Sequence, residues 1–280
     1  MAFKRYSAPM ILPRLQFRAL LALVALLIVA IPTLAQERLP QGFAALNRGD
    51  GAVVREIVDG DTVILDDGRQ VRLVGIQAPK LPLGRKNFEK WPLADEAKTA
   101  LSELVLGRRV TLGYGGQRQD RHGRELAHLF TDDGLWVQGS LLELGFARVY
   151  TFADNRSLAD RMLDAERAAR QLTQGIWQHP YYAILDTQAA PDHTGRYSLV
   201  EGRVLKTATV RGRVFLNFGK DYRTDFTITI SGKNLKSFER GGIIPQDYAG
   251  RCVRVRGWLR WSNGPMIEIT HPEQIEVLEP

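Results

Sequence analysis

The sequence predicts a mainly β fold with helices, built as two small sheet units in one chain. Short apolar or alternating runs, broken by turn signals such as Asp66-Asp67-Gly68, Gly115-Gly116 and Asp132-Asp133-Gly134, fill residues 53–150 and read as strands of a closed or nearly closed sheet. Three stretches with helical spacing interrupt or follow them. A second set of five or six strand-like runs comes after residue 196.

Taken in order, residues 1–35 hold Lys4, Arg5, Arg14 and Arg18, no acid, and an apolar run at 19–30. This reads as a secretory signal cleaved after Ala35, which places the mature chain in the periplasm or outside the cell. The run falls short of the ~20 residues a span needs, and a retained membrane anchor is the alternative. Losing the segment takes the formal charge from +7 to +3. The single cysteine, Cys252, excludes an intramolecular disulfide and cysteine-rich zinc sites, so stability must come from packed cores. The remaining length suits two domains: a lead at 36–52, a first domain at 53–180, a linker at 181–196 and a second domain at 197–280.

Helices are expected at 93–106, 136–144 and 157–177. The last has Leu158, Met162, Ala165, Ala169 and Leu172 at helical spacing, with Asn155 or Ser157 as cap. The linker contains Pro191 and Gly195 and shows no periodicity. Beyond it, strands at 199–205, 213–218, 226–230, 252–261, 266–269 and 275–278 suggest a small β-barrel. Residues 195–280 carry fourteen Lys and Arg against nine acids, a basic half. Arg254 and Arg256 alternate onto one strand face, which with Trp261 suggests a track for a nucleic-acid backbone and its bases. A solvated outer face beside core aromatics is the plainer alternative.

Two segments carry the chemistry: Val58-Asp59-Gly60-Asp61-Thr62 and Asp120-Arg121-His122-Gly123-Arg124, with Arg72 between them. A carboxylate can hold a hard cation, and two guanidinium forks can grip phosphate oxygens and the extra charge of a five-coordinate transition state. Asp59-Gly60 is also an ordinary hairpin signal. Asp120 is expected to shape the turn that presents Arg124. Arg121 and His122 are candidate substrate contacts or a solvated tip, and Tyr150 and Phe152 wall a base pocket or belong to the core. No Ser-His-Asp order, phosphate loop or Cys-His cluster occurs.

These segments, together with Arg72-Leu73-Val74-Gly75-Ile76, Pro79 and residues 142–149, resemble the thermonuclease (staphylococcal nuclease-like) family over about residues 53–178. The tail looks like a second barrel of the oligonucleotide-binding (OB) type. The resemblance implies a five-stranded OB-fold barrel with three helices and calcium-assisted attack of water on phosphodiesters. It implies Asp61 as metal carboxylate and Arg72 and Arg124 as the catalytic arginines. Where the family has Asp-Thr-Pro-Glu, supplying a second calcium ligand and the water-activating glutamate, this chain has Gln77-Ala78-Pro79-Lys80. Gln77 keeps an amide oxygen but loses a charge, which weakens calcium binding. Lys80, a cation at neutral pH, cannot accept a proton and instead offers substrate a third positive group. Glu89, Asp95 and Glu96 are replacement bases or first-turn helix residues. The expectation is an exported thermonuclease-like protein acting on DNA or RNA, an altered phosphodiester hydrolase using calcium or another divalent ion. The alternative is a non-catalytic nucleic-acid or polyanion binder of the cell envelope, touching membrane only if the leader stays uncut.

Overall fold

A computed structural model describes Met1 and residues 39–278; the expected signal segment lies outside the described residues. The first half runs β1 (Asn47–Arg48), β2 (Ala52–Asp59), β3 (Thr62–Leu65), β4 (Gln70–Leu73), β5 (Gly75–Gln77), α1 (Ala94–Val105), β6 (Arg109–Tyr114), β7 (Glu125–Thr131), α2 (Val137–Glu143), β8 (Arg148–Tyr150) and α3 (Ala159–Gln171). Apolar positions of these strands point inward, and Val54, Val63, Leu65, Val71, Leu73 and Leu129 are fully buried. Strands pair in the order β6-β2-β3-β4-β7, and β7 returns to β6, so five strands close into a barrel. Closure removes the free edges that an open sheet would present.

The helices cover this barrel with small and branched side chains. Along α1 the buried residues Ala94, Ala97, Leu101 and Val105 recur at helical spacing, and Asp95 and Glu96 sit in the first turn, where the helix dipole favours acids. α3 ends at Gln171, shorter than expected, and a 3-10 turn follows at Gly175–Gln178. The residue before α3 is Leu158 in a left-handed conformation. Asn155 and Ser157 do not cap it; they donate to the carbonyls of Gln117 and Gly115 and tie the helix entry to the barrel. Leu172, expected on the buried stripe, lies past the helix end and is exposed.

The second half holds β9 (Leu185–Asp186), β10 (Tyr197–Arg203), β11 (Lys206–Val210), β12 (Arg213–Asn217), β13 (Thr227–Ile230), α4 (Gly232–Arg240), β14 (Cys252–Trp261), β15 (Pro265–Ile269) and β16 (Ile275–Leu278). Its strands pair along a path β11-β12-β13-β15-β14-β10-β9, with β16 also on β14. β10 and β11 are parted only by Val204 and Leu205, whose N–H groups donate to the Arg251 and Asn217 carbonyls, so the path from β11 through β12, β13, β15 and β14 returns to the same stretch of chain at β10, as a small closed barrel requires. The stretch expected to be a linker has structure of its own: 3-10 turns at Pro180–Tyr182 and Ala190–His193, and β9 parallel to β10. Leu185 and Ala190 are buried in the second core. Residues 39–280 group as one unit, and no described helix is long and apolar enough to cross a membrane.

Candidate functional site

The β2–β3 hairpin brings the first acid pair inward. An added Cβ at Gly60 would meet Ala78 Cβ at 2.7 Å and Ala97 Cβ at 2.8 Å, so the turn needs glycine to lie against the end of β5 and α1. That approach lets the Ala78 N–H donate to Asp61 Oδ2 at 2.8 Å. Antiparallel pairing of Thr62 with Arg72 sets the next strand beside it. Arg72 then reaches Asp61 Oδ1 at 3.2 Å, while its guanidinium donates to the carbonyls of Leu73 and Ile76, each at 2.7 Å. The fork is thus fixed by protein on one side.

β4 runs parallel to β7, with Val71 opposite Glu125 and Arg72 opposite Leu126. This register carries Arg124, immediately before β7, to the flank of Arg72. The turn ahead of it is held by Asp120, whose Oδ1 accepts from the backbone N–H groups of His122 and Arg124 and whose Oδ2 accepts from Arg124 Nε at 2.8 Å. Gly123 takes a left-handed conformation that lets the chain reverse there. Burial would raise the Asp120 pKa, but Arg124 and the two amides outweigh it and hold the carboxyl below its usual range. Arg72, Arg121, His122, Arg124, Tyr150 and Phe152 line one cleft of about 550 Å³. Sequence candidates 49 to 80 residues from Arg72 therefore share a wall with it.

Behind that wall the acids are already compensated. Asp61 is fully buried, and Lys80 Nζ lies 2.6 and 2.7 Å from its two oxygens and 3.3 Å from Asp59 Oδ2. Burial pushes the Asp61 pKa up, but the charges of Arg72 and Lys80 overcome it and bring it down to about 2. Asp59 moves the other way, raised first by burial and then by the neighbouring Asp61 charge. Lys80 does not line the cleft. Its expected role as a third phosphate cation gives way to an internal ion pair, because two buried carboxylates attract it more strongly than open solvent does.

Gln77 is directed elsewhere. Antiparallel pairing of β5 with β8 sets it opposite Arg148, and its Oε1 accepts from Arg148 Nε at 3.0 Å and from the terminal nitrogen at 2.8 Å. The Arg148 guanidinium is packed among Tyr197, Tyr182 and Trp91, with its centre 4.7 Å from the Tyr197 ring, and burial lowers its pKa. Gln77 and Asp61 thus have their oxygens committed to cations of the chain, and the expected calcium set does not fit these residues. Among the described residues no group of three or more His, Cys, Asp or Glu could hold a metal. Of the replacement bases, Asp95 is exposed and pairs with Lys90.

The second-half candidates divide. Arg256 is fully buried and bonds both Glu166 oxygens at 2.9 and 3.0 Å and also Glu276, while Arg254 pairs with Glu201. These arginines do not form a track for a nucleic-acid backbone; alternation put them on one face, and the acids of α3 and β16 cover that face. Trp261 remains exposed. Sequence reasoning missed Arg148 and Trp258, whose indole N–H donates to the Tyr150 hydroxyl at 3.1 Å. No local pattern marks either, since each acquires its partner through strand pairing or contact between the halves.

Against this geometry the relatives can be weighed. A family model described as "Staphylococcal nuclease homologue" matches residues 70–179, from the start of β4 to just past the 3-10 turn that follows α3. The thermonuclease of Staphylococcus hyicus is 29% identical over 141 residues, covering 49% of this chain and 81% of that protein. A protein of Escherichia coli O157:H7 described as an uncharacterized endonuclease is 32% identical over 131 residues, covering 45% and 76%. The endonuclease YncB of Bacillus subtilis is 31% identical over 130 residues, covering 45% and 60%. With a closed five-stranded barrel, two arginines on one cleft and relatives matched over most of their length, this chain belongs to the staphylococcal nuclease homologue family.

Proposed function

We propose that the protein acts on nucleic acid by gripping a phosphodiester between Arg72 and Arg124, and that recognition rather than calcium-assisted hydrolysis is its main activity. The observation that carries this is the shared cleft: two guanidinium groups, one on β4 and one in the turn that leads into its parallel neighbour β7, the first braced by carbonyls and the second by Asp120, line a single space. Paired forks of this kind suit phosphate oxygens. The Lys80–Asp61 ion pair supports the absence of metal-assisted cleavage, since it takes the carboxylate that would hold an ion. Kinship with nucleases supports the second reading, a residual phosphodiesterase. The basic and apolar opening of the chain supports export, checked by sequencing the mature N-terminus.

The deciding experiment pairs two measurements on single- and double-stranded DNA and RNA: retention at several salt concentrations, and release of acid-soluble nucleotides with calcium or with chelator. Arg124→Ala should weaken retention about tenfold and flatten the salt dependence by about one counterion. Salt-sensitive retention without nucleotide release fits recognition. Release that disappears in Arg72→Ala fits the phosphodiesterase, and no retention under any condition overturns both.

A further inference from the structure

Three carboxylate oxygens converge on one point. Asp61 Oδ1, Asp61 Oδ2 and Asp59 Oδ2 lie 2.6, 2.7 and 3.3 Å from Lys80 Nζ. Calcium takes its oxygen ligands at about 2.3–2.6 Å, so the two Asp61 oxygens stand close to where they would hold a hard cation, while Asp59 Oδ2 lies further out. The point is fixed by backbone as well as by charge: Ala78 N–H holds Asp61 Oδ2, the Asp61 N–H donates to Asp59 Oδ1, and Trp91 N–H donates to the Lys80 carbonyl. Buried carboxylates require such compensation, because without a cation their desolvation is not repaid.

We propose that the Lys80 ammonium is the resident cation of this site, tethered to the chain in place of an exchangeable divalent ion, and that its removal uncovers a divalent-cation site on Asp59 and Asp61. Formal charge separates the alternatives. Asp59 and Asp61 balance Arg72 and Lys80, so a divalent ion entering beside the lysine would add two positive charges to a buried neutral cluster and displace an ammonium at hydrogen-bond distance. Without the lysine the cluster has one negative charge, and a divalent ion leaves it with one positive charge instead of two. An ammonium suits the position better than a guanidinium, because it is a compact point charge with three donors, one for each oxygen. A tethered cation also cannot be stripped by chelators, so Arg72 keeps its brace whatever the metal supply. The proposal does not depend on nucleic-acid binding.

Thermal unfolding and titration calorimetry of the full chain, in calcium and in chelator, test it. The wild-type midpoint should be the same in both, with no heat of calcium binding. Lys80→Ala should melt lower in chelator and recover by about 3 °C or more when calcium is added, the shift expected when an ion binds only the folded state. That recovery should vanish in Lys80→Ala combined with Asp61→Asn. A wild-type chain that binds calcium and melts higher for it overturns the proposal, and this measurement needs no variant. So does a Lys80→Ala chain that is indifferent to calcium, whether folded or unfolded.

Discussion

At the residue scale, Arg72 shows why a charge alone does not make this cleft. Its guanidinium donates in two directions to the Leu73 and Ile76 carbonyls and lies 3.2 Å from Asp61 Oδ1. A lysine could satisfy one of these groups but not the fork, since its charge sits at a single atom on a flexible stem. Arg72→Lys should therefore lower oligonucleotide retention about tenfold and cost about 1–2 kcal/mol of folding stability through the carbonyls left unpaired. Filter binding and urea unfolding would read the two effects; full retention in the lysine variant would mean that charge alone suffices. The identity of Arg72 and Arg124 as a pair was legible in the sequence because residue type and motif spacing survive in one dimension. What each side chain touches was not: Lys80 reads as a free cation until the Gly60 turn puts two acids beneath it, and Arg254 and Arg256 read as a surface stripe until α3 and β16 cover them.

At the scale of elements, the β5–β8 pair explains where the second expected metal ligand went. Register opposes Gln77 to Arg148, and aromatic rings enclose the guanidinium, leaving the amide oxygen as acceptor for two of its N–H groups. Gln77→Met removes that acceptor from a buried cation and should cost about 3 kcal/mol in chemical denaturation. Gln77→Glu, similar in shape, should stay within about 1 kcal/mol of the parent, because a buried ion pair gains little over a neutral bond to the same arginine. It should also create no calcium response, since the new carboxylate faces Arg148; a calcium-dependent rise in its melting temperature would contradict this placement. Most elements were readable from period and turn signals, including the three helices of the first half to within a few residues apart from the end of the third. α4 was not. Its sequence opens on glycine and has only Leu235 and Phe238 as apolar residues, three apart, too few to show a helical stripe before Phe238 is seen buried in the second core.

At the scale of the whole molecule, the two halves are joined through buried and half-buried polar groups that bond across the seam. Tyr197 donates to the Val149 carbonyl, Arg156 bonds Glu273, and Arg256 from β14 bonds Glu166 on α3, whose other contacts include the Val149 N–H. Arg256→Met would remove the guanidinium that both Glu166 and Glu276 bond, leaving Arg170 and Arg254 as their nearby cations, and a loss of about 3 kcal/mol is expected, read as a lower midpoint in calorimetry. His271 lies in the same seam. Its ring nitrogens sit 2.7 Å from Thr151 Oγ1 and 2.8 Å from Thr270 Oγ1, and burial, aided by the Arg156 charge, lowers its pKa to about 4. His128, buried on the face of β7 opposite the barrel core and accepting from the Trp136 indole N–H, falls to about 3 by burial. In the unfolded chain both titrate near 6.5. Between that value and the folded pKa the unfolded state binds protons that the folded state does not, so stability increases with pH across the window and is lost as pH falls through it. The contribution of His271 alone is on the order of 3 kcal/mol. Urea midpoints measured from pH 7 to pH 4 should therefore decline steadily, and His271→Gln, which keeps a hydrogen-bonding side chain but cannot ionise, should decline less steeply over the same range. Equal slopes for the two proteins would mean that the seam histidine takes up its proton without opening the contact between the halves.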